Sequence, residues 1–363
     1  MSLHRPLRLL LFIALPVLAV LVALIYSLTW RPLPREDALV TCNGQVAQLQ
    51  PGQALKVMTW NVQYLAGKRY VFWYDLPGGD GPDERPSSED LALTLNEVVR
   101  VLRAEQPDVV LLQELHDNAK ASDHQDQLAL LQARLGDLYP CSSQAFYWKA
   151  GFVPHPRILG SVGMKLGTLS RFQIARAERL QLPMLEADPL SRQFQLKRAL
   201  LVSYLPIRGG EELVAINTHF DAFAQGQNTM QRQVQMTDDL LQQLQGTGKT
   251  WVLGGDLNLL PPGQFQHLPE GQRSWYAADS ELQDLARRYP MIPSLQQASG
   301  AEQAQWYTHS PNDPAAHGPD RTLDYLFYSP RLTPLASQVR QHDTLSISDH
   351  LPVIGRFFLP SQE

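Results

Sequence analysis

A chain of 363 residues with 44% apolar side chains has ample material for one large core, or for two average domains. Its formal net charge of −5 excludes a general electrostatic grip on nucleic acid, while leaving room for a local basic cleft. Only Cys42 and Cys141 are present, with no Cys-x-x-Cys pair, which excludes a thiolate zinc site. They form one structural disulfide in an oxidising compartment, or stay two thiols.

The first predicted element is an apolar run over residues 9–28, with Pro16 its one helix-breaking residue, long enough to span a bilayer core. Arg5 and Arg8 precede it and Arg31 and Arg35 follow, so the charge balance leans only weakly toward a cytoplasmic N-terminus. No small-x-small cleavage site follows the run. Residues 1–29 are therefore expected to be a single-pass anchor with the rest of the chain outside the cytoplasm. Secretion after signal cleavage is the alternative. Residues 30–54, rich in proline and charge and without periodicity, read as a linker, and residues 55–363 as one domain.

Within that domain, strand-length apolar runs alternate with helical patterns. A strand is predicted at 55–60. A helix begins at Ser87, with Asp90 as its capping partner, and ends before Pro107. A buried strand follows at 109–112, and Asp123 caps a second helix carrying Leu128, Leu131 and Leu135. Strands at 199–205 and 213–217, joined through Arg208-Gly209-Gly210, read as a hairpin, so the sheets are not purely parallel. The glutamine-rich stretch 227–245 keeps helical spacing at Met230, Val234, Leu240, Leu241 and Leu244. Gly246-Thr247-Gly248-Lys249-Thr250 imitates a phosphate loop, but Gln243 stands where its first glycine belongs and a strand follows, so it is rejected. Further strands are predicted at 251–253, 323–328 and 353–358. Mixed strands and helices of this kind imply sheets packed against helices.

What ends each strand is the informative pattern. Asn61, Glu114, His219, and the pair Asp256 and Asn258 each follow an apolar run, while Asp349 and His350 precede the last one. Singly, each has an ordinary reading as a turn, a solvated end or a helix cap. Five strand-linked segments doing the same thing point to chemistry held at sheet ends. Carboxylates and carboxamides are hard oxygen donors that suit Mg²⁺ or Mn²⁺, and no His-Glu-x-x-His zinc motif is present. Two histidines would supply a proton acceptor and a donor to phosphoryl oxygens.

The segments Thr59-Trp60-Asn61-Val62-Gln63, Leu111-Leu112-Gln113-Glu114-Leu115, Asn217-Thr218-His219, Gly254-Gly255-Asp256-Leu257-Asn258, Leu323-Asp324-Tyr325-Leu326 and Ser348-Asp349-His350-Leu351-Pro352-Val353 occur in this order. Together they resemble the endonuclease/exonuclease/phosphatase superfamily over residues 55–358. The resemblance implies a four-layer α/β sandwich, two mixed β-sheets face to face with helices outside. It implies Glu114 as principal Mg²⁺ ligand with Asn61 and Asp349 close by, and His350 as base or phosphate contact oriented by Asp324. Asp256 and Asn258 would position water and bind phosphate, and His219 would donate to a phosphoryl oxygen.

Arg198 and Arg321 lie beside strands and could clamp phosphate or form surface salt bridges. His116, His124, His155 and His309 show no ligand spacing and read as surface or loop residues. The aromatic clusters at 70–74 and 146–148 suit a headgroup layer, base stacking or core filling. The expectation is an anchored, monomeric Mg²⁺-dependent phosphodiesterase acting on a lipid or small phosphoester. A deoxyribonuclease-type enzyme is the second reading, and a catalytically dead, membrane-tethered interaction domain the third.

Overall fold

The computed structural model describes residues 4–222 and 226–361, with side chains of the N-terminal helix from Phe12 onward. That helix, α1 (His4–Leu28), contains Pro16. Leu9, Leu10 and Leu11 of the expected spanning run, with Arg5 and Arg8, have side chains outside the described residues. Among the described residues no helix is long and apolar enough to cross a membrane.

The stretch expected to be a linker is instead woven into the domain. β1 (Arg35–Asp37) and β2 (Leu39–Cys42) form there. They are followed by β3 (Ala54–Asn61), α2 (Ser88–Glu105), β4 (Val109–His116) and α3 (Gln127–Leu135). Then come β5 (Cys141–Val153), β6 (Gly160–Ser170), β7 (Arg176–Gln181) and the single turn α4 (Ser191–Phe194). The hairpin β8 (Ala199–Pro206) and β9 (Glu212–His219) leads to α5 (Thr229–Gly246) and β10 (Thr250–Asp256). β11 (Met291–Ile292), β12 (Asp324–Tyr328), β13 (Thr333–Val339) and β14 (Val353–Phe358) complete the strands.

Ser87 caps α2 as predicted, its side chain accepting from the Asp90 amide, and Gln106 ends the helix in a left-handed conformation before Pro107. The second helix is capped by Asp126, not Asp123. Asp123 instead closes a short turn, with φ 52°. The correction is local: both residues are good caps, and the tertiary bridge between Asp117 and Asp126 fixes where the helix starts.

Two seven-stranded sheets result, ordered β1-β7-β8-β9-β10-β12-β11 and β13-β14-β3-β4-β6-β5-β2. Both are mixed, with β9–β10 and β3–β4 the parallel pairs. Val57, Leu111, Ala215, Val252, Leu326 and Phe357 fill the space between them. Leu95, Val98 and Leu102 of α2 and Leu131 of α3 pack on the outer face of the second sheet. Val234, Leu241 and Leu244 of α5 cover the first beside Trp251. Four layers follow from these three clusters. Gly254 shows how tightly the sheets meet, because a Cβ there would come within 2.6 Å of Leu326 and 2.8 Å of Leu111. Cys42 and Cys141 are disulfide-bonded, joining β2 to the start of β5.

Candidate active site

Register alone assembles half of the floor. β10 lies between β9 and β12 with Asp256 opposite His219 on one side and Asp324 on the other. Three polar residues thus stand in one row at the strand ends. The second sheet supplies Asn61 at the end of β3, opposite Gln113 of β4. Glu114 follows at an irregularity between Leu112 and Leu115, with φ 60°. A bulge of this kind re-aims a side chain that regular pleating would turn away. Asn61 is fixed in turn: its Oδ1 accepts from the Gln63 amide at 3.0 Å, and the chain leaves through a left-handed turn at Gln63, Tyr64 and Leu65.

One oxygen is the hub. Asp256 Oδ2 accepts from Asn61 Nδ2 at 3.1 Å and lies 3.3 Å from His219 Nε2 and 3.4 Å from His350 Nε2. Asn61 Nδ2 also donates to Glu114 Oε1 at 3.0 Å. Asp256 Oδ1 accepts from the Asn258 amide at 2.9 Å, and the Asn258 side chain turns to the Phe220 carbonyl at 3.3 Å. The other nitrogen of His350, Nδ1, meets Asp324 Oδ2 at 2.7 Å. Below, Ser348 Oγ donates to the Asn61 carbonyl at 2.8 Å, and the Trp60 indole donates to the His350 carbonyl at 2.9 Å. These bonds lock the loop before β14 onto the end of β3.

Charge is crowded here. Burial, then the Asp349 carboxylate, pushes Glu114 up to about 7. Burial pushes Asp256 up to about 6, against the pull of His350. Burial opposes charging His350, but Asp324, Asp256 and Asp349 outweigh it and hold the ring protonated well above the histidine range. His219 goes the other way: burial, Arg198 and His350 keep it neutral. Glu114 thus feels the negative charge of Asp349 and Asp256, and all three are oxygen donors, while the donor atoms lying within 4.8 Å of one another are those of Asp256, Asp324 and His350 and of His309, Asp349 and His350. A hard divalent cation fits that donor set.

The structure brings together eight of the ten residues singled out in the sequence: Asn61, Glu114, His219, Asp256, Asn258, Asp324, Asp349 and His350. All but Asn61 and Asp324 also line a cleft of about 890 Å³. Arg198 lines it too, buried, with Nε 3.3 Å from Asp221, the guanidinium 5.0 Å over the Tyr147 ring, and Nη1 without a partner. Arg321 does not. Its guanidinium is buried against Asp320 at 2.7 Å, Gln272 and Tyr276, so it braces the loop before β12 and is not a phosphate clamp.

Some functional neighbours escaped the sequence. His309 is no loop ornament: its ring meets His350 edge-on at 4.6 Å, and its nitrogen can approach Asp349 and His350 as a ligand group. His116 is buried, bonded through Nδ1 to Ser122 at 2.9 Å and stacked on Tyr64. Thr308 Oγ1 accepts from the amides of Leu323 and Asp324 at 2.9 and 3.0 Å, holding the carboxylate behind His350. Tyr147 lies 3.4 Å from His219 Nδ1. Asp75, in the long insertion after β3, is pushed up to about 7 by burial and by Asp349. Of these, only Tyr147 left a trace in the sequence, as part of the aromatic cluster at 146–148.

Away from the floor the cleft turns apolar. Trp73, Trp148, Ile158, Val162, Met164 and Leu196 form its wall. Trp73 stacks on His155 at 5.0 Å, and the Trp148 indole donates to the Phe194 carbonyl at 2.7 Å.

Residues 58–350 match the profile of the endonuclease/exonuclease/phosphatase family. No curated protein matches by sequence. Among solved structures, an endonuclease/exonuclease/phosphatase from Beutenbergia cavernae superposes with TM-score 0.56 at 22% identity, over 85% of this chain and 72% of that one. The human Nocturnin catalytic domain with bound sulfate anion gives 0.54 at 18%, over 88% and 97%. A truncated Caenorhabditis elegans TDP2 gives 0.50 at 17%, over 85% and 98%. At these identities the likeness is one of fold.

Proposed function

Because the chain belongs to the endonuclease/exonuclease/phosphatase family, we propose that it is a membrane-held, divalent-metal-dependent phosphodiesterase. The observation that carries the reading is the convergence of Asn61, His219 and His350 on one oxygen of Asp256, beside Glu114. A Mg²⁺ or Mn²⁺ ion held by Glu114, with Asn61 and Asp349, would supply Lewis-acid neutralisation of the phosphoryl charge. Asp256, oriented by the Asn258 amide, takes the proton of the attacking water. His350, kept charged by Asp324, and neutral His219 donate to the non-bridging oxygens. Arg198 Nη1, buried and unpaired, is the further donor for phosphate. Water adds its oxygen to phosphorus in line, one P–O ester bond breaks, and a proton passes to the departing alcohol.

The anchor belongs to the same proposal. Phe12, Leu18 and Val20 of α1 are 77%, 57% and 66% exposed, so the domain does not cover them. A bilayer would. The Cys42–Cys141 bond suits an oxidising compartment, which favours a catalytic domain outside the cytoplasm.

The test is hydrolysis of bis(p-nitrophenyl) phosphate by the detergent-solubilised full chain with Mg²⁺, beside Glu114→Ala and His350→Ala. The full chain is used because β1, β2 and Cys42 of the disulfide belong to the domain. Undiminished turnover in both variants would sink the site.

A further inference from the structure

The cleft and the foot of α1 meet on one hairpin, β5–β6. Thr29, the first residue after α1, bridges to Ala150 of β5. Leu28 reaches within 3.4 Å of where a Cβ on Gly151 would stand. Ala150 and Val153 form an apolar cluster with Val162, and Trp148, Ile158 and Phe194 pack against it. Trp148, Ile158 and Val162 also line the cleft. The wall of the catalytic cavity and the seat of α1 are therefore two sides of one small cluster.

The surroundings of that seat are amphipathic. Phe152, Leu159 and Leu190 are 39%, 53% and 55% exposed. Arg31, Lys149, Arg157 and Arg192 are exposed beside them. Arg31 ties the chain leaving α1 to Gln193 of α4 at 3.3 Å and lies 3.4 Å over the Tyr26 ring. The acids of the rim are engaged: Glu84 pairs with Arg157 at 3.5 Å, and Asp188 accepts from the Leu190 and Ser191 amides. Scattered apolar residues are ordinary on a surface. Apolar residues mixed with long cationic ones, directly under an exposed apolar helix, are the pattern of a headgroup layer.

We propose that the hairpin tip, residues 149–160, is the membrane-facing lip of the cleft, and that the substrate is a phospholipid diester drawn sideways from the bilayer holding α1. This rests on the phosphodiesterase reading and on α1 as anchor. The phosphodiester reaches the floor at Glu114 and His350 while an acyl chain lies along Trp148, Ile158, Val162 and Leu196. Cations also line the cleft, but Arg85 pairs with Asp123, Arg157 with Glu84 and Arg198 with Asp221, and Lys120 donates to the Ile158 and Leu159 carbonyls, so a nucleic acid backbone would compete with these partners while the apolar face stayed unused. Hydrolysis moves water oxygen onto phosphorus, breaks the P–O bond to one alcohol, and leaves that alcohol carrying the proton.

The experiment reconstitutes the full chain in vesicles of phosphatidylethanolamine and phosphatidylglycerol with Mg²⁺. Lipid hydrolysis is read beside hydrolysis of bis(p-nitrophenyl) phosphate and plasmid DNA. The double variant Phe152→Asp, Leu159→Asp changes only exposed positions, and thermal melting confirms its fold. Lipid turnover falls at least tenfold in this variant while turnover of the soluble diester stays within twofold. Unchanged lipid turnover overturns the lip. Cleavage of the soluble diester or DNA without cleavage of lipid overturns the substrate class alone. No cleavage of any of the three by the unaltered chain overturns the phosphodiesterase reading beneath it.

Discussion

The floor and the wall of the cleft are built on opposite plans. On the floor every side chain is held by others: Asp256 alone engages Asn61, Asn258, His219 and His350. The wall is made by a loop insertion and a hairpin tip, where rings stack and part of each remains open to solvent. Strand ends give fixed direction, which chemistry at one phosphorus atom needs. A wall that only excludes water and accommodates a chain tolerates variation. Chemistry and selectivity are therefore expected to be separable by mutation.

The sharpest break comes from the floor. Glu114→Ala and His350→Ala should each lower kcat/KM on bis(p-nitrophenyl) phosphate by about 10³-fold or more, and Asp324→Asn by about 10²-fold, each with little change in melting temperature. Removing the metal with a chelator should abolish turnover as fully as Glu114→Ala while leaving vesicle association intact, which separates the two regions without mutation. Next in size is the disulfide, whose partner strand β5 carries the wall: Cys42→Ser should cost about 2–4 kcal/mol of stability in urea unfolding. Arg198→Met stands at the border between the regions, and a roughly tenfold rise in KM for the soluble diester is expected with a smaller change in kcat. Smallest is Trp73→Ala, a change of a few-fold in KM for lipid with kcat on the soluble diester unaltered. A kcat loss in that last variant as large as in Glu114→Ala would erase the distinction.

The floor was legible in the sequence and the wall was not, for one physical reason. A polar residue at the end of an apolar strand announces itself locally, because the apolar run itself says where the strand stops. Asn61, Glu114, His219, Asp256 and Asp349 all carried that mark. His309 and Thr308 did not, since they reach His350 and Asp324 through an irregular loop whose path is set by tertiary bridges to Arg321 and His350. Arg321 has two readings in the sequence, phosphate clamp or salt bridge, and its buried contact with Asp320 decides for the second. Trp73 and Trp148 were visible as aromatic clusters, but which rings face a cavity depends on how loop and hairpin dock. β1 and β2 were missed because three- and four-residue edge strands carry almost no periodicity.

Those two short strands have a mechanical meaning. β1 pairs with β7 at the edge of one sheet and β2 with β5 at the edge of the other, so residues 35–42 strap across both sheets, and the disulfide rivets the strap's end. With Thr29 already bridged to Ala150, almost no slack remains between α1 and the sandwich. For a domain held by α1 in a bilayer, that stiffness sets one working height and one orientation, as on a fixed keel. Encounters then happen by drifting in the plane of the membrane, and only esters presented at that height are within reach.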